Sequence, residues 1–389
     1  MNHAIQRILV VEPKWTGHYA GFAARVAEGL RLTGRSVTLA LTASGPDETT
    51  GIPEVVEEAF TDRLDIRRTL GPMPRGFSPI TERGGELEWR TIESEIEQAR
   101  ADVVVAPSAD AIACTRDAPD RCRRGGVPLV GCIHNARLGY RGHGPRFLLR
   151  REWMRRRLAR CGMTLGTLDP VAVEAGRRIP LHPLPHPASG TPGPDVPDSM
   201  ADLEDRIGDR RVILAIGEHS VRKGTDRIVA HWPEPAPAGA VLVVAGRRCA
   251  AVDEALGRRT GDVEASRILD IPRTLSGGEF DWLVHRADVV TAVYQQHVGI
   301  SGIVAEAAAS GTAVLGSAEG GIGRQIQAHG LGQTIRSRDD RALAEALARA
   351  AIDDPEVDET RRTAFAREGR DPAFGQAWLR LLDLAKRDR

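Results

Sequence analysis

Short runs of β-branched and apolar residues alternate along this chain with longer stretches whose apolar positions recur every three or four residues. The short runs predict buried strands, and the longer stretches predict helices that cross from one parallel strand to the next. The strands predicted in the first half are 8–11, 37–41, 103–106, 129–133 and 163–165. Those predicted in the second half are 212–216, 241–245, 289–293, 313–315 and 333–335. The pattern therefore predicts an α/β protein with two doubly wound parallel sheets.

The segment SGTPGPDVPD at 189–198 separates the two halves. Its prolines and glycines break both helix and strand, so it predicts an interdomain linker between Rossmann-like domains at 1–188 and 199–370. Because open parallel sheets bind ligands at the carboxyl ends of their strands, we expect the two domains to face each other across a cleft that holds the active site.

A last helix is predicted at 371–389, where Asp371 and Pro372 suit a helix start. We expect it to pack an apolar stripe on a domain surface, with the N-terminal domain as the candidate. The stripe comprises Phe374, Trp378, Leu381 and Ala385.

Composition fits a soluble globular protein of two domains, with 389 residues, 41% apolar and 27% charged. The 53 basic and 53 acidic residues give a formal net charge of zero, which does not indicate a nucleic-acid partner. We find no signal-peptide core and no apolar run of membrane-spanning length, so the expected location is the cytoplasm. The five cysteines form no CxxC pair, which argues against a zinc ribbon or redox dithiol.

The segment HVGISGIVAEAAASGTAVLGSAEGG at 297–321 predicts a small-residue loop, a helix, a buried strand and a second glycine loop. Main-chain amides and a helix start in that order are typical of sites that hold phosphate-bearing ligands. The segment has one carboxylate before its second glycine loop, Glu306, about one and a half turns into the predicted helix.

A second phosphate-type element follows the strand at 212–216. A glycine turn at Gly217 leads to Arg222, Lys223 and Gly224 ahead of a helix. Cations above a strand end and beside a helix start suit a diphosphate. The residues do not fit the Walker motif GxxxxGK[ST]. The element therefore indicates a phosphate site only together with the loop at 299–302 of the same domain.

In the first half, polar residues follow two predicted strands. Gly17 and His18 lie in a turn after strand 8–11, and their spacing does not fit the dinucleotide motif GxGxxG. His134 and Asn135 directly follow strand 129–133, where they would face the cleft. Both histidines could hydrogen-bond a substrate hydroxyl, and the alternative for each is a structural histidine bonded within the fold.

The segment 145–160 carries seven arginines and one glutamate, Glu152. Phe147, Met154 and Leu158 fall on one helical face, which leaves most guanidinium groups on the others. Such a helix could meet an acidic acceptor or an anionic membrane surface, whereas a solvated helix face is the more common meaning of the pattern.

These motifs resemble the retaining glycosyltransferase family 4, whose members have the GT-B fold. The resemblance covers the C-terminal domain well and reaches the N-terminal domain only through its first glycine turn. It is carried by Gly217, Lys223, Gly224, Ala287, Asp288, Glu306, Ala307, Gly311, Gly320 and Gly321.

The sequence also departs from the family pattern. Glu218 stands where the family has an arginine beside its first glycine, so that diphosphate contact is lost or passes to Arg222. Val298 stands where the family has the first of two paired glutamates, and His297 takes that place if one residue is inserted. In family members this first carboxylate lies near the sugar.

The resemblance implies a nucleotide-diphosphate sugar as substrate, with a UDP-sugar as the first expectation, and no cofactor. No DxD pair follows a strand, so no metal is implied. The expected catalytic residues are Lys223, Arg222, His134 and His297. The expected donor-binding residues are Gly217, Lys223, Gly299, Ser301, Gly302 and Glu306, with Glu306 on the ribose hydroxyls and 270–274 near the base. The expected acceptor-binding residues are Gly17, His18 and Asn135.

Three functions fit these residues. The leading one is retaining transfer of a sugar to a hydroxyl acceptor, either a small molecule or a glycan. The second is a nucleotide-sugar epimerase on the same scaffold. The third is a catalytically inactive GT-B protein that binds a sugar nucleotide, which is motivated by the missing carboxylate and arginine.

Overall fold

The computed structural model describes residues 5–14, 19–42, 56, 60–71, 80–98, 100–124, 126–134, 145–169, 172–173, 179–188, 193–259 and 267–387. The chain divides into two compact units. One comprises Met1–Pro187 and Asp371–Arg389, and the other comprises Ala188–Arg370.

The first unit is built on a seven-stranded sheet with the order β3-β2-β1-β4-β5-β6-β7, in which every pair is parallel. Its strands are β1 (Arg7–Glu12), β2 (Ser36–Thr42), β3 (Asp65–Leu70), β4 (Val103–Ala106), β5 (Leu129–Ile133), β6 (Thr164–Thr167) and β7 (Leu181–Pro183). The helices that precede the second unit are α1 (Tyr19–Arg31), α2 (Glu82–Gln98), α3 (Ala118–Arg124) and α4 (Pro145–Leu158).

The second unit is built on a six-stranded parallel sheet with the order β10-β9-β8-β11-β12-β13. Its strands are β8 (Arg211–Ile216), β9 (Ala240–Ala245), β10 (Ile268–Ile271), β11 (Val289–Ala292), β12 (Ala313–Ser317) and β13 (Gly332–Ile335). Its helices are α5 (Ala201–Ile207), α6 (Thr225–His231), α7 (Ala250–Arg259), α8 (Gly277–Arg286), α9 (Gly302–Ser310), α10 (Gly320–His329), α11 (Asp340–Ala350) and α12 (Glu359–Gly369).

In both sheets, the order in which successive strands are added reverses beside the first strand. Ile8 of β1 lies between Val37 of β2 and Val103 of β4. In the second unit, β8 pairs with β9 on one side and with β11 on the other. Such a switch opens a crevice at the carboxyl ends of the strands. In the second unit, the crevice lies where β8 leads to the turn at 217–224 and β11 leads to the loop at 294–301.

The doubly wound α/β prediction is confirmed, and all ten predicted strands are present. The sequence pattern missed β3, β7 and β10. β3 (DIRRTL) is mostly polar and mostly exposed at a sheet edge, and β7 has only three residues and ends in proline. β10 pairs only with β9 and begins after 260–266, a range outside the described residues. Edge strands lack the apolar signal of strands that are buried on both faces.

The last helix, α13 (Ala373–Arg387), packs on α1 within the first unit. Its predicted stripe is buried, with Phe374, Trp378, Leu381 and Ala385 no more than 5% exposed. The two helices approach closely at a pair of glycines, since a Cβ on Gly375 would stand 1.9 Å from the carbonyl oxygen of Gly29. Only glycine at 375 therefore permits this separation.

Helix α4 carries the arginine run. Of the three apolar residues on one helical face, Met154 and Leu158 are buried and Phe147 is half-buried. Arg157 pairs with Glu82 at 3.3 Å, and Arg156 pairs with Glu152 at 3.1 Å. Among the helices that the structure describes, none has the length and apolar content needed to cross a membrane.

Candidate active site

A glycine turn after β8 makes room for a lysine. Gly217 has φ +98°, and a Cβ there would come within 2.9 Å of the Lys223 Nζ. The ammonium lies 3.4 Å from the Ile216 carbonyl oxygen, to which it donates. Gly224 ends the short 3₁₀ helix Val221–Lys223 in the left-handed region, and a Cβ there would stand 2.5 Å from the Val293 carbonyl oxygen. The two glycines therefore hold Lys223 against the ends of β8 and β11.

Burial, helped by the nearby charge of Arg222 and partly offset by Glu218, lowers the pKa of Lys223 to about 8. The ammonium therefore remains the main form of Lys223 at pH 7. The Lys223 Nζ lies 5.9 Å from the centre of the Tyr294 ring, and the Arg222 guanidinium lies 5.3 Å from the same centre. The two cations thus share one aromatic neighbour, and a bound anion would favour the charged form of the lysine.

The loop after β11 ends in an open helix start. Ser301 is the N-cap residue of α9, but its hydroxyl donates to the Tyr294 hydroxyl at 3.0 Å and makes no hydrogen bond to the first turn of the helix. The first amides of α9 therefore receive nothing from their cap side chain. Such amides, at the positive end of the helix dipole, bind phosphate oxygens in many proteins.

Two glycines of α10 fix the shape of this loop. A Cβ on Gly320 would stand 2.8 Å from the His297 carbonyl oxygen, and a Cβ on Gly321 would stand 2.7 Å from the carbonyl carbon of Gly299. The Gly321 amide donates to the Val298 carbonyl at 3.0 Å. The start of α10 and the loop 297–300 are therefore packed backbone against backbone.

His297 joins this loop to the turn after β8. Its Nδ1 lies 3.1 Å from the Arg222 Nη1, and its Nε2 lies 3.2 Å from the Ile300 carbonyl oxygen. Its ring meets the Tyr294 ring edge-on, with 5.3 Å between the centres. Tyr294, which the sequence analysis did not single out, is the side chain around which the predicted residues gather.

The other predicted donor residues lie on neighbouring elements. Glu306 is the fifth residue of α9 and is half-buried. Glu218 turns outward and pairs with Arg247 at 3.4 Å. Arg222, rather than position 218, therefore supplies the second cation of the turn after β8.

The segment expected near a base, 270–274, begins at the end of β10. Arg248 pairs there with Asp270 and also with Asp253, at 3.0 Å from the latter. Burial raises the pKa of Asp270, and Arg248 partly offsets this. Arg273 holds Glu279 at 2.6 and 2.8 Å. These bonds hold the pKa of Glu279 down at about 2.

His134 lies in the first unit, at the end of β5. Its main-chain amide donates to an Asp110 carboxylate oxygen at 3.1 Å, and its Nε2 donates to the Pro107 carbonyl at 2.8 Å. The Phe22 ring meets the imidazole edge-on, with 4.8 Å between the centres. Its neighbours in the predicted acceptor site, Gly17, His18 and Asn135, lie outside the described residues.

A buried charge cluster at the end of β1 escaped the sequence analysis. The Lys14 Nζ lies 3.0 Å from Glu88 Oε1 and 3.0 Å from the Ser108 carbonyl oxygen, with Glu12 Oε1 at 4.0 Å. Burial raises the pKa of Glu12, and it raises the pKa of Glu88 to about 7. Glu12 and Lys14 are two residues apart in sequence, but Glu88 comes from the distant helix α2, so no local pattern connects the three.

Comparison with known proteins gives a family for part of the chain. Residues 210–353 match a family model described as glycosyl transferases group 1. No curated protein matches the sequence significantly.

Three solved structures share the fold over nearly the whole chain. The HepE protein of Anabaena, solved with UDP and glucose, has a TM-score of 0.64 at 14% identity over 98% of each chain. The UDP-forming α,α-trehalose-phosphate synthase of Burkholderia vietnamiensis has a TM-score of 0.67 at 15% identity over 99% of each chain. WaaG, a glycosyltransferase involved in lipopolysaccharide biosynthesis, has a TM-score of 0.60 at 16% identity over 97% of this chain and 98% of that one. At such identities the likeness shows the fold alone.

Proposed function

We propose that the protein transfers a sugar from a nucleotide-diphosphate sugar to a hydroxyl acceptor. The premise is that the chain has the GT-B fold and that its residues 210–353 match the family model of glycosyl transferases group 1. The configuration of the sugar is retained, as the family resemblance implies. A UDP-sugar is the proposed donor, and the Anabaena structure solved with UDP and glucose supports that choice.

One observation carries the proposal. The Lys223 ammonium and the uncapped start of α9 both border Tyr294, since the ammonium lies 5.9 Å from the ring centre and the N-cap hydroxyl bonds to the phenol oxygen. A cation and a helix start without a side-chain cap, both beside one tyrosine, suit a diphosphate, which offers several oxygens and more than one negative charge.

The chemistry follows from where charge builds up. The bond between the sugar's anomeric carbon and the diphosphate oxygen breaks, and its electron pair leaves with the diphosphate. Lys223, Arg222 and the amides of Ser301 and Gly302 stabilise that charge in place, because they are held there before the reaction. The acceptor oxygen bonds to the anomeric carbon on the same face, and its proton passes to an oxygen of the departing diphosphate.

Other predicted residues have supporting roles in this proposal. Glu306, half-buried on the second turn of α9, accepts hydrogen bonds from the ribose hydroxyls. Acceptor binding is assigned to the first unit, through His134 at the end of β5 and through Gly17, His18 and Asn135.

The test incubates the protein with UDP-glucose, other UDP-sugars and GDP-sugars, with and without a panel of hydroxyl acceptors, and measures nucleoside diphosphate release and sugar isomerisation. Acceptor-dependent release with an α product from an α donor supports the proposal. Isomerised donor without acceptor would identify an epimerase. Nucleotide binding, seen as a raised melting temperature, without any turnover would identify an inactive sugar-nucleotide-binding protein.

A further inference from the structure

His297 has both ring nitrogens engaged, and the partners define its protonation. The Ile300 carbonyl oxygen, 3.2 Å from Nε2, can only accept a hydrogen bond, so Nε2 carries the hydrogen. The Arg222 guanidinium, 3.1 Å from Nδ1, can only donate, so Nδ1 is unprotonated. These two bonds are compatible with one form only, the neutral Nε2–H tautomer.

The groups around the ring maintain this form. Arg222 comes from the turn after β8, Tyr294 comes from the end of β11, and Lys223 lies over the same phenol ring. The start of α10 packs against the main chain of His297, since a Cβ on Gly320 would stand 2.8 Å from the His297 carbonyl oxygen. Burial lowers the pKa of His297, and the Arg222 charge lowers it further, against the opposing effect of the Ile300 carbonyl. Protonation of Nδ1 would replace an acceptor by a donor that faces a cation.

We propose that His297 is a positioning residue that holds the Arg222 guanidinium at the diphosphate site without reducing its charge. The inference rests on the proposed function. Arg222 is exposed, and a long arginine side chain in water samples many rotamers, so a fixed acceptor reduces the entropy lost when the ligand binds. The guanidinium is also held over Tyr294, at 5.3 Å from the ring centre.

The chemistry of the acceptor matters. A glutamate, which the family resemblance expects at this place in the sequence, would form an ion pair with Arg222 and neutralise it. A neutral imidazole nitrogen accepts the same hydrogen bond and leaves the full positive charge for the phosphate oxygens. His297 thereby compensates for the family arginine that is replaced by Glu218, because it turns Arg222 into a fixed diphosphate ligand.

Two substitutions separate the two hydrogen bonds. In His297→Asn, the amide oxygen stands close to the Nδ1 position, so the acceptor for Arg222 is kept and cannot be protonated. In His297→Gln, the amide nitrogen stands close to the Nε2 position, so the donor to Ile300 is kept and the acceptor is lost. Melting temperatures without ligand establish that both variants are folded.

The kinetic test measures donor kcat/KM against pH. In the wild type it should fall as the pH drops through a value below 6.5, where the imidazole is protonated. His297→Asn should keep most of the activity at pH 7.5 and lose this acid limb. His297→Gln should lose about tenfold, the size of one charge-assisted hydrogen bond, and should add no further loss to Arg222→Gln. The inference would be overturned if His297→Asn were as impaired as His297→Gln, or if the acid limb persisted in His297→Asn. It would also be overturned if the losses caused by His297→Gln and Arg222→Gln were fully additive.

A second readout does not depend on catalysis. Nitrogen NMR of histidine-labelled protein reports the tautomer and the pKa of His297 directly. We expect the Nε2–H tautomer, and we expect Arg222→Gln to raise the pKa of His297 because a neighbouring cation is removed. An Nδ1–H tautomer, or a pKa that does not respond to Arg222, would overturn the inference. If no donor is turned over, the proposed function fails while this measurement still decides the role of His297.

Discussion

Replacing Lys223 by methionine tests the core of the proposed chemistry. Methionine has a similar length and keeps an apolar contact with Tyr294, but it carries no charge. The lysine is half-buried beside Arg222, and burial already holds its pKa near 8. A partly buried cation of this kind stabilises a developing anion more than a solvated one does.

The expected loss is set by comparison with other fixed groups that stabilise a transition state. Removing one such group costs about 10²- to 10³-fold in kcat, or about 2.7 to 4 kcal/mol. Because Arg222 shares the site and remains in the variant, we expect the lower end, about 10²-fold. The melting temperature should not fall, because the substitution removes a cation that burial and Arg222 both disfavour.

The assay is steady-state release of nucleoside diphosphate from the donor identified for the wild type, measured from pH 6 to 9.5. kcat/KM reports the free enzyme, so the wild-type value should fall as the pH rises through about 8, where Lys223 loses its proton. The kcat/KM of Lys223→Met should be low at every pH and should lack this alkaline limb.

The control for this variant is Arg247→Met. It removes a positive charge close to the same turn, but Arg247 is 65% exposed and pairs with Glu218 on the surface. This control should change kcat/KM by less than about threefold, since exposed charges act weakly through water. Equal effects of the two substitutions, or an alkaline limb that persists without Lys223, would refute the leaving-group role.

Two further predictions concern binding and stability. Glu306→Gln should weaken nucleoside diphosphate binding by about tenfold, because a charged acceptor for the ribose hydroxyls becomes a neutral one; an unaltered affinity by titration calorimetry would contradict the assignment. Gly375→Ala should destabilise the protein by about 1 to 3 kcal/mol in urea denaturation, because the added Cβ would stand 1.9 Å from the Gly29 carbonyl oxygen. In contrast, Gly257→Ala in α7, where a Cβ meets nothing within 4 Å, should leave stability unchanged or raise it by up to about 1 kcal/mol. If both alanines behave alike, the close helix contact is not what makes Gly375 necessary.

Local sequence was enough to predict the elements that surround the site. β8 and β11 are buried on both faces, so their apolar runs are continuous and easily recognised. Lys223 and Ser301 follow those strands by seven and nine residues, and both come after the carboxyl ends of strands of the same sheet, where the sequence led us to expect a ligand.

Contacts that depend on the exact path of a loop were not predictable. The Tyr294 ring meets Arg222 only because Gly224 adopts a left-handed conformation that lets its turn lie on the end of β11. The sequence alone left open whether Val298 or, with one inserted residue, His297 takes the place of the missing carboxylate. The structure shows that the His297 imidazole is the side chain that contacts Arg222.

The helix α13 makes the second unit an insertion into the first. Residues 188–370 leave the first unit and return to it at neighbouring points, since the Ala188 amide donates to the Gly369 carbonyl at 3.1 Å. During synthesis, the inserted unit is made before α13. It can therefore fold before α13 packs on α1 at Gly29 and completes the first unit. A splice that joins residue 187 directly to 371 would bridge only a short gap and would give the first unit an uninterrupted chain.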